Sequence, residues 1–260
     1  MDEQAWLASA DPQVMLRLLL GASHPRVQAV EAFPDCIASD RKLRLFACSC
    51  YHRVRHLLPD ARARVAVEVA ERVADGGLPA GELQRAEANV RGPLDALEGR
   101  WRASRGGERA ALLPTHEALA LALVILWPQA QKAAYYASSN ASLAFAALAN
   151  PGAASYAPGF SASRLAEERA QTGLLRDIFG NPFRPLRFDP TLGTPTIISL
   201  AQAAYNERLL PQGHLDPQRL AVLADALEEA GAGEDLVAHL RAPGPHVRGC
   251  HVVDAVLGRH

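Results

Sequence analysis

At 260 residues and 49% hydrophobic, the chain holds enough apolar material for one large domain or two modest ones, which excludes wholesale disorder. Twenty-seven basic against 28 acidic residues leave a formal charge of −1, so there is no global positive field of the kind a nucleic-acid binder carries. Aromatic residues are only 6%, and much of the apolar content is Ala, Leu and Val, which suits closely packed helices and predicts an all-α fold.

Helix punctuation is legible along the chain. Asp11-Pro12 reads as an N-cap followed by the first helical position, and Gly21 as the stop. Ser39 or Asp40 opens a helix that Pro59 ends, with Leu43, Phe46, Cys50, Val54 and Leu57 on one stripe. Asp60 caps a third helix, with Val65, Val69 and Val73 together, that ends at Gly76-Gly77. Residues 80–103 are helical with a kink or break at Gly92-Pro93, because an internal proline removes a backbone bond and crowds the preceding turn. Residues 99–114 are polar and Arg-rich and read as a loop. Thr115 then caps a helix over 116–127, and an Ala-rich helix covers 129–149.

A Gly/Pro-rich connection spans 150–160, and Ser161 caps a helix ending near Phe179-Gly180. The stretch from Asn181 to Pro185 cannot be helical, since its two prolines restrict themselves and their predecessors. Thr194-Pro195 and Asp216-Pro217 repeat the cap signal, opening helices with stripes Ile198-Ala201-Gln202-Tyr205 and Leu220-Leu223-Leu227. Helices over 234–241 and about 246–257 finish a bundle of about ten, with at most a two-stranded ribbon. Residues 1–260 read as a single helical domain, with 80–160 as an inserted or lateral layer between the ends 1–75 and 173–258.

The longest apolar run, Ala118–Trp127, is too short to span a bilayer, and Met1–Ala10 lacks a signal-peptide layout. Four unevenly placed cysteines (Cys36, Cys48, Cys50 and Cys250) do not make a disulfide framework. A cytoplasmic protein with reduced thiols and no membrane association is expected.

Three stretches carry a resemblance. They are Ser39-Asp40-Arg41-Lys42-Leu43-Arg44-Leu45-Phe46-Ala47-Cys48, then Gly180-Asn181-Pro182-Phe183-Arg184-Pro185, then Leu223-Ala224-Asp225-Ala226-Leu227-Glu228-Glu229-Ala230-Gly231 with Pro243-Gly244-Pro245-His246-Val247-Arg248-Gly249-Cys250. The chain resembles, on these motifs, a helical protein family common in planctomycetes and other high-GC bacteria. That family has no assigned activity, so the resemblance implies a bacterial helical protein and no chemistry.

Four constellations are candidates for function. Cys48, His52 and His56 recur at i,i+4 and offer zinc or copper donors, although a buried thiol beside two partly exposed imidazoles is the preferred reading. His246, Cys250 and Asp254 repeat that spacing, and the turn at Pro243-Gly244-Pro245 can return His239 towards them. This set suits zinc, or a thiol activated by an imidazole, and is the one place where a cofactor is suggested. The basic run Arg41, Lys42, Arg44, Arg53, Arg55, Arg62 and Arg64 could hold phosphate or nucleic acid, but a solvated or salt-bridged face is preferred, with Arg41 and Arg44 paired to carboxylates elsewhere such as Asp225 or Glu229. The turn with Asn181, Phe183 and Arg184 is either a recognition loop or a plug, with Phe183 buried and Arg184 on orphan carbonyls of the preceding helix; the plug is preferred.

No phosphate-binding loop, paired-Cys zinc motif or nucleophile elbow is present in the sequence. A helical module binding a protein or peptide is therefore expected rather than an enzyme. A metal- or thiol-dependent enzyme built on the C-terminal cluster is the alternative, and a phosphate or nucleic-acid binder comes third.

Overall fold

A computed structural model describes residues 1–21 and 38–259. Twelve α-helices and one two-stranded ribbon are found among them, so the all-α expectation holds. The helices are α1 (Glu3–Ala8), α2 (Pro12–Leu20), α3 (Asp40–Val54), α4 (Ala61–Ala74), α5 (Gly81–Ala103), α6 (Gly106–Ile125), α7 (Ala130–Ala149), α8 (Pro158–Phe179), α9 (Pro195–Asn206), α10 (Pro217–Glu229), α11 (Glu234–Arg241) and α12 (His251–Val256). The ribbon pairs β1 (Arg208–Leu209) with β2 (His214–Leu215), antiparallel. No helix among the described residues is long and apolar enough to cross a membrane. The described chain groups into two compact units, Met1–Ala8 with Gly173–His260, and Ser9–Thr172.

The caps act as their residue types dictate. Asp11, Ser39, Asp60, Thr194 and Asp216 each accept a backbone N–H of the following first turn. In the 9–172 unit, α3 packs against α4, α6 and α7 and buries eleven of its fifteen residues. Ala- and Ser-rich α7 lies against it, its small side chains letting the helices approach closely. The buried Arg44 donates to the carbonyls of Ile125, Trp127 and Pro128 (2.8, 3.0 and 2.9 Å), which satisfies acceptors left over at the end of α6.

Several boundaries differ from the sequence reading. Helix α5 runs through Pro93 without a break, and α6 begins at Gly106 and contains Pro114, so only Ser104 and Arg105 separate them. Buried Leu83, Ala86, Val90, Leu94 and Leu97 keep α5 continuous, tertiary packing outweighing the lost backbone bond. On α4 the buried face is Ala63, Ala66, Val67, Ala70 and Glu71, while Val65 is exposed. Helix α3 ends at Val54 in a short 3-10 turn, α8 starts at Pro158, and α12 starts at His251 rather than 246.

In the other unit the core is built by Ile197, Ala201, Ala204 and Tyr205 of α9, Leu220, Leu223 and Leu227 of α10, and Leu236, Val237 and Leu240 of α11. Val252, Val253 and Val256 of α12 complete it. This packing fixes α11 and α12 and, with the buried Cys250, the chain that enters α12.

Candidate metal centre

The end of α8 is an unusual place for a carboxylate. Asp177 lies in its last turn, where the helix dipole disfavours negative charge, and on the apolar side with Leu174 and Ile178. It is 3% exposed, so the groups around it must offset its desolvation. His246 supplies Nδ1 at 2.8 Å from Asp177 Oδ1, His239 supplies Nε2 at 3.2 Å from the same oxygen, and the Val247 N–H donates to Oδ2 at 2.8 Å. Cys250 Sγ lies 3.3 Å from His239 Nε2. One atom from each of Asp177, His239, His246 and Cys250 falls within 4.8 Å of the other three.

Local structure explains the convergence. His239 comes from the last turn of α11. Gly244 then turns the chain with φ +84°, and a Cβ there would stand 2.9 Å from the His246 nitrogen. The His246 carbonyl accepts from Leu215 N–H at 2.8 Å, tying this segment to β2. Cys250 is the N-cap of α12 but makes no side-chain capping bond, and its sulfur reaches the cluster instead. His251 Nδ1–H donates to the Asp177 carbonyl (2.8 Å) and sets its ring edge-on to that of His239. It also covers Gly180, φ +64°, where a Cβ would lie 2.9 Å from the His251 ring.

The electrostatics are specific. Both nitrogens of His246 face pure acceptors, Asp177 Oδ1 and the Ala242 carbonyl at 3.1 Å, so in this arrangement both donate and the ring is an imidazolium. Burial alone lowers the pKa of His246, but the hydrogen bond and charge of Asp177 with the Ala242 carbonyl raise it above the ordinary 6.5. Burial works against ionised Asp177, yet the hydrogen bonds and charges of His239 and His246 hold it down at about 2. Burial first, then the Asp177 charge, push the Cys250 thiol well above its ordinary range.

Without metal, this ion pair sets a stability profile. The Asp177 contribution is present above its ordinary 3.8 and lost as pH falls through about 2, a shift worth on the order of 2 kcal/mol. The His246 contribution is present below 6.5 and lost as pH rises through its raised value. Both describe one pair and count once. Urea midpoints of chelator-treated protein, followed through Trp6, should peak between about pH 4 and 6.5 and fall on both sides. A profile that is flat at both ends contradicts the pairing.

Of the residues singled out in the sequence, His239, His246 and Cys250 are brought together, and Asp254 is buried outside the ligand-atom group. Its i,i+4 register required a helix from 246, whereas residues 247–249 are bridge and turn. Asp177 takes its place.

Elsewhere, Cys48, His52 and His56 do not converge. His52 is buried with Nε2 2.8 Å from Glu71 Oε1, Cys48 Sγ approaches the Val67 carbonyl, and His56 is exposed beyond the end of α3. Cys36 lies outside the described residues. The basic run is spent on partners: Arg41 with Asp75, Arg53 bidentate to the buried Glu167, and Arg62 with Asp60. Arg44 takes carbonyls at the end of α6, and Asp225 holds Arg241. The plug is not found either. Phe183 is 40% exposed and Arg184 pairs with Glu3, while Asn181 makes an Asx turn to Phe183 N–H.

No family model matches the chain, and no curated protein or solved structure is significantly similar to it.

Proposed function

We propose that this is a metal-binding helical protein in which Asp177, His239, His246 and Cys250 hold one divalent ion, zinc by its chemistry. The observation that carries this reading is that His239 Nε2 meets both Cys250 Sγ and Asp177 Oδ1. A thiol–imidazole–carboxylate relay needs the thiol on one ring nitrogen and the carboxylate on the other. Here both converge on a single nitrogen, as ligands around a common centre do.

Bond lengths of about 2.0–2.3 Å place the ligand atoms of tetrahedral zinc roughly 3.3–3.7 Å apart; three of the contacts, at 2.8, 3.2 and 3.3 Å, are shorter than or at the edge of this, and all four atoms lie within 4.8 Å of one another. A soft thiolate, two imidazoles and one carboxylate favour zinc over magnesium or calcium. The outer groups suit it too. The His246 Nε2–H donates to the Ala242 carbonyl, and Asp177 Oδ2 accepts Val247 N–H, so these two ligands are oriented by their other polar atoms. A cation at the centre also offsets the buried carboxylate and the thiol's resistance to ionisation.

Four protein ligands leave no position for water or substrate, which supports a structural ion that staples α8, α11 and the segment 246–250, rather than a catalytic one. Cobalt(II) titration of the apoprotein tests this. A tetrahedral visible spectrum with a thiolate charge-transfer band, saturating at one equivalent, is expected. The band should vanish in Cys250→Ser and be retained in Cys48→Ser. A pale octahedral spectrum, or a band that survives Cys250→Ser, counts against the site.

A further inference from the structure

Helix α1 is six residues long, too short to persist unaided in water, yet Trp6 is completely buried while most of its neighbours, Leu7 at 55% included, face solvent. Its anchorage is to the end of α8 and the turn that follows. Trp6 Nε1 donates to the Gly180 carbonyl at 3.1 Å, and Arg176 Nη2 donates to the Trp6 carbonyl at 3.0 Å. Asn181 Nδ2 (2.7 Å) and Arg184 Nε (2.9 Å) both donate to Glu3 Oε1. One deep aromatic anchor, one carboxylate clamped by an amide and a guanidinium, and terminal helix carbonyls used as acceptors are how a groove holds a short helical peptide. The chain leaves this seat at once, for Ser9 already belongs to the other compact unit.

We propose that the end of α8 and the 180–184 turn form an exchangeable seat for a short acidic helix bearing a tryptophan, which the chain fills in cis with its own residues 1–8. The specificity is a carboxylate one turn before an indole, as in Glu3-Gln4-Ala5-Trp6. The seat thus makes a self-occupied peptide site of the turn whose Asn181 and Arg184 the sequence leaves between a recognition loop and a plug.

The test uses the full chain with a protease site inserted between Ser9 and Ala10, cut and then mixed with a fluorescein-labelled peptide of residues 1–10. The cut protein is expected to stay helical and to take up the label saturably, read by anisotropy. Unlabelled peptide should compete, and its Trp6→Ala form should compete at least about thirty-fold less well, as loss of a tryptophan hot spot implies. Arg184→Ala in the chain should weaken uptake several-fold. In the uncut chain, hydrogen exchange in α1 should be much faster than in α10. A folded cut chain that takes up no peptide, equal competition by the Trp6→Ala peptide, or α1 protected as strongly as α10 overturns the proposal. So does unfolding of residues 173–260 on cleavage, because α1 would then be core rather than occupant.

Discussion

Asp177→Ala is expected to abolish metal binding and to destabilise the unit containing it by about 3–5 kcal/mol, the usual cost of removing one partner from a buried ion pair. The residue is 3% exposed and joins three groups at once. Its removal takes away the acceptor of the buried His246 Nδ1 and orphans the Val247 N–H. Asp177→Asn should cost less, because an amide oxygen can still accept from Val247, but it too should lose the ion. Denaturant unfolding read through Trp6, with Trp101 and Trp127 replaced by Phe, isolates this unit, since both of those lie in the other. A change below about 1 kcal/mol with metal retained would show that Asp177 is not a ligand.

Arg44→Ala should destabilise the 9–172 unit by a similar amount, about 3–5 kcal/mol. Hydrogen bonds to a charged donor contribute about 1.5–3 kcal/mol each, and three carbonyls lose theirs together, but Arg44→Ala also removes the cost of burying the guanidinium, so the net falls below their sum. The guanidinium is needed for its fork as much as its charge: it spans Ile125, Trp127 and Pro128 from one planar group. Arg44→Lys is therefore expected to recover less than half of the loss. Thermal melts followed through Trp127, which sits in this turn, measure it. Lysine restoring full stability would mean that charge alone matters.

The fold was legible wherever a capping side chain bonds the backbone beside it, because that interaction is local. Asp11, Ser39, Asp60, Thr194 and Asp216 all mark real starts. It was illegible where packing overrides a local cost, as at Pro93 and Pro114 inside α5 and α6. Helix α4 carries two overlapping apolar stripes, and the alanine side, which permits closer approach, is the one buried. For the centre, His239, His246 and Cys250 lie within twelve residues and could be grouped by chain proximity. Asp177 is 62 residues before His239, and no spacing rule reaches that far. The available signal was physical: a carboxylate on the apolar side of a helix's last turn, unfavourable unless something cationic meets it. Asp254 was drawn in by a helical register that does not extend back to His246.

Elemental analysis of the wild-type chain, purified without an affinity tag from zinc-sufficient medium, tests the metal centre most directly. One zinc per chain is predicted, lost in Asp177→Ala and Cys250→Ser but kept in Cys48→Ser. Wild-type protein that is folded, metal-free and unable to take up zinc at neutral pH would contradict it.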